Sequence, residues 1–273
     1  VNKPEFLTRT ITGLFIGAIS LAAIIFSPWT YLAWLCLIAY LGTREYLKLG
    51  KDSIASSHGA DMPFLILVIV AATGYAILKG IDFVHVLLLI PVLLSGRFII
   101  QLLAVKEVSE LVKNTRSVYS VVAYIAIPLL TGCVFLYGTY SWKFILIPVI
   151  LIWINDIGAY MIGSQWGKHK IAPAISPGKS IEGTIGGGLA TISAGLILRA
   201  FWPEIPLYYM VALSLATPLF ALAGDLWESA LKRDAGVKDS GRLLPGHGGI
   251  LDRYDSLLFV MPVAALAYFI FVL

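Results

Sequence analysis

Between Gly224 and Ser256 the chain concentrates groups able to handle phosphate and metal ions. Asp225, then Glu228 or Ser229, then Lys232 fall at i, i+3/i+4 and i+7, so a helix running through this stretch carries a carboxylate and an ammonium along one edge. Arg233 follows, and Lys238-Asp239-Ser240-Gly241-Arg242 adds two further cations and an acid. Gly246, Gly248 and Gly249 around His247 let backbone N–H groups approach a ligand closely, and a bend there returns the chain toward Asp252 and Asp255. Those two acids, three apart, share a face if the last helix begins early. Each group has a plainer explanation: Asp255-Ser256 can cap a helix, Lys232-Arg233 can anchor one at a membrane surface, and His247 can be a hydrogen-bonded turn residue. Taken jointly, hard oxygen ligands, several cations and a glycine-rich turn are what a Mg²⁺-nucleotide site requires.

A second stretch lies upstream. Asp156 falls inside an apolar run, where a carboxylate is costly unless it faces a polar cavity, a cation or a basic partner, and this marks it for function before structure. Gly178-Lys179-Ser180 ends like a P-loop, but that motif needs a glycine where Pro173 stands and a strand before it. What survives is a Gly/Pro-containing loop that presents Lys168, Lys170 and Lys179 ahead of a helix start, suited to anionic oxygens. Gly163 and Gly167, like Gly183 and Gly187, have the small-xxx-small spacing of helix packing contacts.

The elements that must position these groups are membrane helices. Of 273 residues, 59% are hydrophobic and 13% charged, against roughly 45–50% and 25% in a soluble domain. That excludes an ordinary cytosolic protein, a disordered chain and a disulfide scaffold. Cys36 and Cys133 lie in apolar runs without metal-ligand spacing, so a zinc site is not expected. The composition and the recurring apolar runs predict an all-α polytopic membrane protein with nine spans, at about 11–26, 29–42, 62–78, 83–104, 118–138, 143–163, 183–201, 206–224 and 256–272. The first reads as a retained signal-anchor, because further spans follow it. Pro91, Pro128, Pro148 and Pro218 fall inside spans and read as kinks, not breaks. Lys79, Lys143 and Arg199 lie on one face and Arg97 within a span, leaving sixteen of the 20 basic residues on the other face. The positive-inside rule then puts the amino terminus in the cytoplasm and the carboxyl terminus outside. Residues 1–140 form an amino-terminal region of about five spans, and residues 141–273 a catalytic region of about four, with cytoplasmic loops at 164–182 and 225–255. The mixed charges around Arg44 to Asp61 and Lys106 to Arg116 read as solvated loops at lipid headgroups.

The run Ser229-x-Leu231-Lys232-Arg233, then Lys238-Asp239-x-Gly241, then Leu244-Pro245-x-His247-Gly248-Gly249-Ile250-x-Asp252-Arg253-x-Asp255 resembles the signature of the phosphatidate cytidylyltransferases, also called CDP-diacylglycerol synthases. Asp156-x-x-Ala159-Tyr160 and Ser176-Pro177-x-Lys179-Ser180-x-Glu182-Gly183 are also similar to that family, so the likeness covers the carboxyl-terminal half. Tyr254 stands where the family usually has a smaller or aliphatic residue and Ser180 where it usually has Thr, and neither change removes a charge or a ligand.

The resemblance implies transfer of CMP from CTP to phosphatidic acid at the cytoplasmic face of the cell membrane, for phospholipid biosynthesis. It implies Mg²⁺ and a second cation, divalent or potassium, with CTP, phosphatidic acid and membrane lipids as partners and no nucleic acid. A homodimer stays open. Asp225, Asp252 and Asp255 are the expected metal ligands. Lys179, Ser180, Lys232, Arg233, Lys238, Arg242, Gly248 and Gly249 are expected at the phosphates, and Asp239 and His247 are expected to organise the loop or touch the leaving pyrophosphate. A transferase acting on ether lipids, or a polyprenol kinase, is the alternative. A secondary transporter fits less well, because the chain carries no internal repeat.

Overall fold

Ser27 shows how the chain punctuates its helices. Its Oγ accepts from the Thr30 N–H at 3.1 Å, Thr30 Oγ1 accepts from the Ser27 N–H at 3.1 Å, and Pro28 occupies the first helical position. This capping box ends α1 (Lys3–Phe26) and starts α2 (Pro28–Leu49). The structure is a computed structural model that describes residues 3–50, 61–81, 95, 108–139 and 141–273. All of the expected span at 83–104 except residue 95, and most of the loop after α2, lie outside the described residues.

The described residues fall into two units. One lies within Val1–Tyr140 and includes Ser240–Leu251; the other comprises Ser141–Asp239 and Asp252–Leu273. In the first, α1 and α2 are followed by α3 (Met62–Leu78) and α4 (Val108–Val121). A π-helical stretch (Val122–Ala126), α5 (Ile127–Gly132) and a 3₁₀ turn (Cys133–Leu136) continue α4. The widened π turn sits just ahead of Pro128, whose ring would collide with the carbonyl four residues back in a regular helix. Proline here changes the helix type without ending the run. Tyr31, fully buried on α2, donates its hydroxyl to the Gly132 carbonyl at 3.1 Å and ties α2 to α5.

The second unit holds α6 (Trp142–Trp166), a short hairpin, α7 (Ile181–Phe201), α8 (Leu207–Ala235) and most of α9 (Leu251–Phe271). Helices α6 and α7 pack through the expected small residues. A Cβ on Gly183 would lie 3.1 Å from the Gly163 Cα, and one on Gly187 would lie 2.7 Å from the Asn155 carbonyl oxygen. Pro148, Pro218 and Pro262 all sit inside continuous helices. The aromatic rings of Phe144, Tyr209 and Tyr268 meet edge to face and join α6, α8 and α9, with the Tyr209 hydroxyl donating to the Phe144 carbonyl at 2.7 Å.

Five of the described helical runs are long and apolar enough to cross a membrane: Thr115–Leu136, Trp142–Trp166, Ile181–Phe201, Leu207–Ala235 and Leu251–Phe271. The protein is therefore an all-α membrane protein. At 29 residues, α8 is about 44 Å long against roughly 30 Å of hydrocarbon. Its surplus carries the charged end, which stops at Gly236 in the left-handed region with φ of 72°.

Candidate active site

The approach of α8 to α9 is set by Gly224. A Cβ there would strike the Asp255 carbonyl oxygen and lie 3.0 Å from the Ser256 Cα, and Ser256 Oγ donates to the Ala221 carbonyl at 3.2 Å. Because α9 begins at Leu251, Asp255 lies one turn inside the helix and is not its cap; it accepts instead from the Ser256 N–H at 2.7 Å. As the spacing predicts, α8 continues as one helix through Asp225 and Lys232, and α9 starts early enough to include both Asp252 and Asp255.

Lys179, at the end of the hairpin, reaches Asp225 at 2.5 Å. Burial works against this ammonium, but Asp225, with Asp156 and Asp255 behind it, outweighs the penalty and holds Lys179 above the ordinary lysine range. It remains a cation at neutral pH. Asp156, Tyr160, Lys170, Lys179 and Ser180 line a cavity of about 500 Å³, within the roughly 300–1,000 Å³ usual for small-molecule sites. Asn155, Ser164, Ser176 and Thr184 add polar surface and Ala159, Pro218 and Leu222 apolar surface, so one cavity offers charged, polar and apolar groups together.

The expected loop at 164–182 contains a hairpin. Strand β1 (Lys170–Ala172) pairs antiparallel with β2 (Ser176–Ser180), with Lys170 opposite Ser180 and Ala172 opposite Ser176. Ser180 is the N-cap of α7, its Oγ accepting from the Gly183 N–H at 3.2 Å. Glu182 accepts from the backbone N–H groups of Lys168 (3.1 Å) and His169 (3.2 Å), and its carboxylate meets His169 Nδ1 at 2.6 Å. Arg233 Nε donates to the Ile175 carbonyl at 3.3 Å, tying the hairpin tip to α8. Lys179 therefore stands on a braced platform.

One turn further along α8 is a second cluster. Lys232 forms ion pairs with Glu228 and with Asp252, the latter at 2.7 Å, and the three side chains are almost completely enclosed. Lys238 and Asp239 are exposed beyond the end of α8. Arg242, His247, Gly248 and Gly249 belong to the first unit. There Gly246 and Gly248 adopt φ of 73° and 77°, and Leu244 and Gly248 form a bridge that closes the turn. His247 packs on α1, where a Cβ on Gly13 would lie 3.1 Å from Nε2.

Two buried acids join the sites expected from sequence. Glu228 shares Lys232, and Glu45 of α2 receives hydrogen bonds from Ser240 and Leu251. Helical spacing carries a signal for both: Ile38, Gly42, Glu45 and Leu49 recur along one buried stripe of α2, and Ala221, Gly224 and Glu228 along one of α8.

Among the described residues no three His, Cys, Asp or Glu side chains gather as a metal-ligand cluster. Mg²⁺ does not require one, since it takes one or two carboxylates and completes its shell with substrate phosphates and water. Asp156, Asp225 and Asp255 supply the hard carboxylate oxygens such a cation takes, with Lys179 acting on all three, Arg253 also on Asp156 and Lys232 also on Asp255.

The sequence pattern described as the cytidylyltransferase family matches residues 7–271. A phosphatidate cytidylyltransferase of Staphylococcus haemolyticus is 33% identical over 265 residues, which cover 93% of this chain and 96% of that relative. Proteins of the same name from Staphylococcus saprophyticus and Staphylococcus aureus are 43% and 46% identical over 145 residues, a match to 52% of this chain that spans about half, 54%, of each relative's length. With the family pattern running over nearly the whole chain and one relative aligning almost end to end, the chain belongs to the cytidylyltransferase family.

Proposed function

We propose that the protein is a phosphatidate cytidylyltransferase, transferring CMP from CTP to phosphatidic acid to give CDP-diacylglycerol and pyrophosphate. The observation that carries this reading is the Lys179 ammonium facing Asp225, Asp156 and Asp255 beside a cavity of about 500 Å³, in a chain whose near full-length relative bears that enzyme's name. A phosphatidate oxygen bonds to the α-phosphorus of CTP as the bond from that phosphorus to the bridging oxygen of the β-phosphate breaks, and pyrophosphate leaves. A phosphate monoester oxygen needs no strong base, so the work is alignment and charge neutralisation.

Lys179 is assigned to the phosphates, with Ser180 as the cap that fixes its strand end. Lys232, Arg233, Lys238 and Arg242 supply further positive charge to the triphosphate and the lipid headgroup, while Gly248 and Gly249 give close backbone approach. Asp239 and His247 organise the loop. Asp225, Asp252 and Asp255 would hold Mg²⁺, with a second cation, divalent or potassium, also required; the metal would draw charge from the phosphates undergoing substitution. The apolar wall of the cavity suits the lipid, whose acyl chains stay in the bilayer while CTP arrives from the cytoplasm.

The nine-span topology, with the amino terminus inside and residues 164–182 and 225–255 cytoplasmic, belongs to this reading. So does the division into an amino-terminal membrane region, 1–140, and a catalytic region, 141–273. Purified protein given CTP labelled in the cytidine, phosphatidic acid and Mg²⁺ is expected to form a labelled lipid and release pyrophosphate, and EDTA is expected to stop both. Release of inorganic phosphate without lipid labelling would overturn the reaction. In cells, with Cys36 and Cys133 replaced, a cysteine near Lys170 or Lys238 should be shielded from an impermeant reagent and one near Lys143 labelled; the reverse pattern would overturn the orientation.

A further inference from the structure

Glu45 lies on the last turns of α2 and is buried. Its Oε2 accepts from Ser240 Oγ at 3.1 Å and from the Leu251 N–H at 2.9 Å. Leu251 is the first residue of α9, and the first N–H groups of a helix have no acceptor within it. The residue before it, Ile250, has no side-chain oxygen to supply one. A carboxylate borrowed from α2 therefore does what a local Asp or Ser would do, placing an acceptor and a negative charge at the positive end of the helix.

The fit around that carboxylate is close. A Cβ on Gly241 would lie 2.6 Å from Glu45 Oε1, and one on Gly249 would lie 2.6 Å from Glu45 Cδ. Gly241 and Gly249 thus leave room for a side chain nearly two hundred positions earlier in the chain. Ser240 and Leu251 are the two ends of the segment that holds Arg242, His247 and Gly248, so one side chain fastens both ends of the glycine-rich turn.

Resting on the reaction proposed above, we propose that Glu45 is a positioning residue that holds the Ser240–Leu251 turn and the start of α9 in a single arrangement without touching substrate. The amino-terminal region is then more than a membrane anchor, because α2 sets the turn that carries part of the family signature.

The test compares Glu45→Ala, Glu45→Gln and the wild type by kinetics and by hydrogen exchange of the purified full-length protein. Glu45→Ala is expected to lower kcat about 100-fold, the loss a small misplacement of catalytic groups can cause, with KM for CTP and for phosphatidic acid within about threefold of wild type. Glu45→Gln keeps an acceptor oxygen and should recover roughly tenfold of that loss, since a neutral acceptor is weaker than a charged one but not absent. Amides from Ser240 to Leu251 should exchange faster in Glu45→Ala, while those of α6 and α7 keep wild-type protection. Wild-type kcat and exchange in Glu45→Ala would overturn the proposal, and so would acceleration spread evenly over all helices. If Glu45→Ala is not recovered from membranes, Glu45→Gln carries the test, with a kcat about tenfold below wild type and faster exchange at the turn as the expected result. Exchange needs no turnover, so it decides the positioning role even if the wild type makes no CDP-diacylglycerol, an outcome that would count against the reaction itself.

Discussion

Helix α8 carries two ammonium–carboxylate clusters built from the same residue types and set in opposite surroundings. At Asp225 the partner is Lys179, which comes from the hairpin, lies beside the cavity and keeps about a third of its side-chain surface exposed. Seven residues on, Lys232 is closed in by Glu228 and Asp252, with side-chain exposures of 12%, 1% and 5%. An open pair can exchange its partner for an incoming phosphate or cation at little cost, because solvent already screens it. A sealed cluster cannot lose one member without stranding the others in a medium that solvates charge poorly. The two should therefore answer mutation differently: the open pair in turnover alone, the sealed one in stability as well.

The largest effect is expected at Lys232. Lys232→Met removes the cation that Glu228 and Asp252 share, and an uncompensated buried charge costs roughly 3–5 kcal/mol. For a chain of this size that shift lowers the thermal transition by on the order of 10 °C. Scanning fluorimetry in detergent measures it directly. A wild-type melting temperature combined with lost activity would break the comparison, because it would make the sealed cluster a purely chemical device.

Asp225→Asn comes next. Its pair with Lys179 is partly exposed and contributes no more than about 1 kcal/mol to stability. Loss of a charge that helps hold a metal at the phosphates should lower CDP-diacylglycerol synthesis by roughly 10²–10³-fold. Asp255→Asn should follow it with partial rescue at high Mg²⁺, since Asp255 lies inside α9 and helix capping is no longer an alternative role for it. Turnover near wild type in both variants would remove the metal assignment. Lys179→Ala follows, with a charge-assisted phosphate contact worth roughly 1.5–3 kcal/mol of transition-state stabilisation, measured as kcat/KM with melting unchanged. A loss no greater than that of the Lys170→Ala control would reduce Lys179 to one loop charge among several.

Much of this arrangement is written in local spacing. The i, i+3/i+4, i+7 pattern from Asp225 to Lys232 gives the charged edge of α8, and the small-xxx-small glycines give the packing of α6 on α7. The expected span at 62–78 coincides with α3. Boundaries drawn on apolarity alone stop short elsewhere: α2 runs to Leu49 and α8 to Ala235, because a helix can continue into water once its hydrogen bonds are established. The hairpin escapes notice for a different reason. Strands of three and five residues, with Gly and Pro in the second, leave too short a pattern to read. Glu45 is hidden more thoroughly, since it sits among Arg44, Lys48 and Asp52, a mixture that reads as a headgroup loop, and its partners lie 195 and 206 positions away. Only the continued helical stripe through Ile38 and Gly42 marks it as inward-facing.

The smallest effect is expected at Glu228, and it is the sharpest measure of what the sealed cluster does. Glu228 and Asp252 share the Lys232 ammonium. Glu228 Oε1 is buried without a hydrogen-bond partner among the described residues. Glu228→Met keeps the volume, removes that oxygen and leaves Lys232 and Asp252 as a matched pair. Replacing a buried ion by an apolar side chain of similar size is often neutral or stabilising, so the melting temperature should stay at wild type or rise slightly, by the equivalent of about 1 kcal/mol or less. Turnover should change less than about threefold, because no interaction with the reacting phosphates is lost. Lys232→Met and Glu228→Met then form a contrast within one cluster, the first costly and the second silent, as expected if Lys232 needs only one of its two carboxylate partners. A large fall in kcat for Glu228→Met at unchanged stability would instead mean that the extra carboxylate serves the chemistry. In that case Glu228 would join Lys232 and Asp252 in the reaction, and burial alone could not separate the two ends of α8.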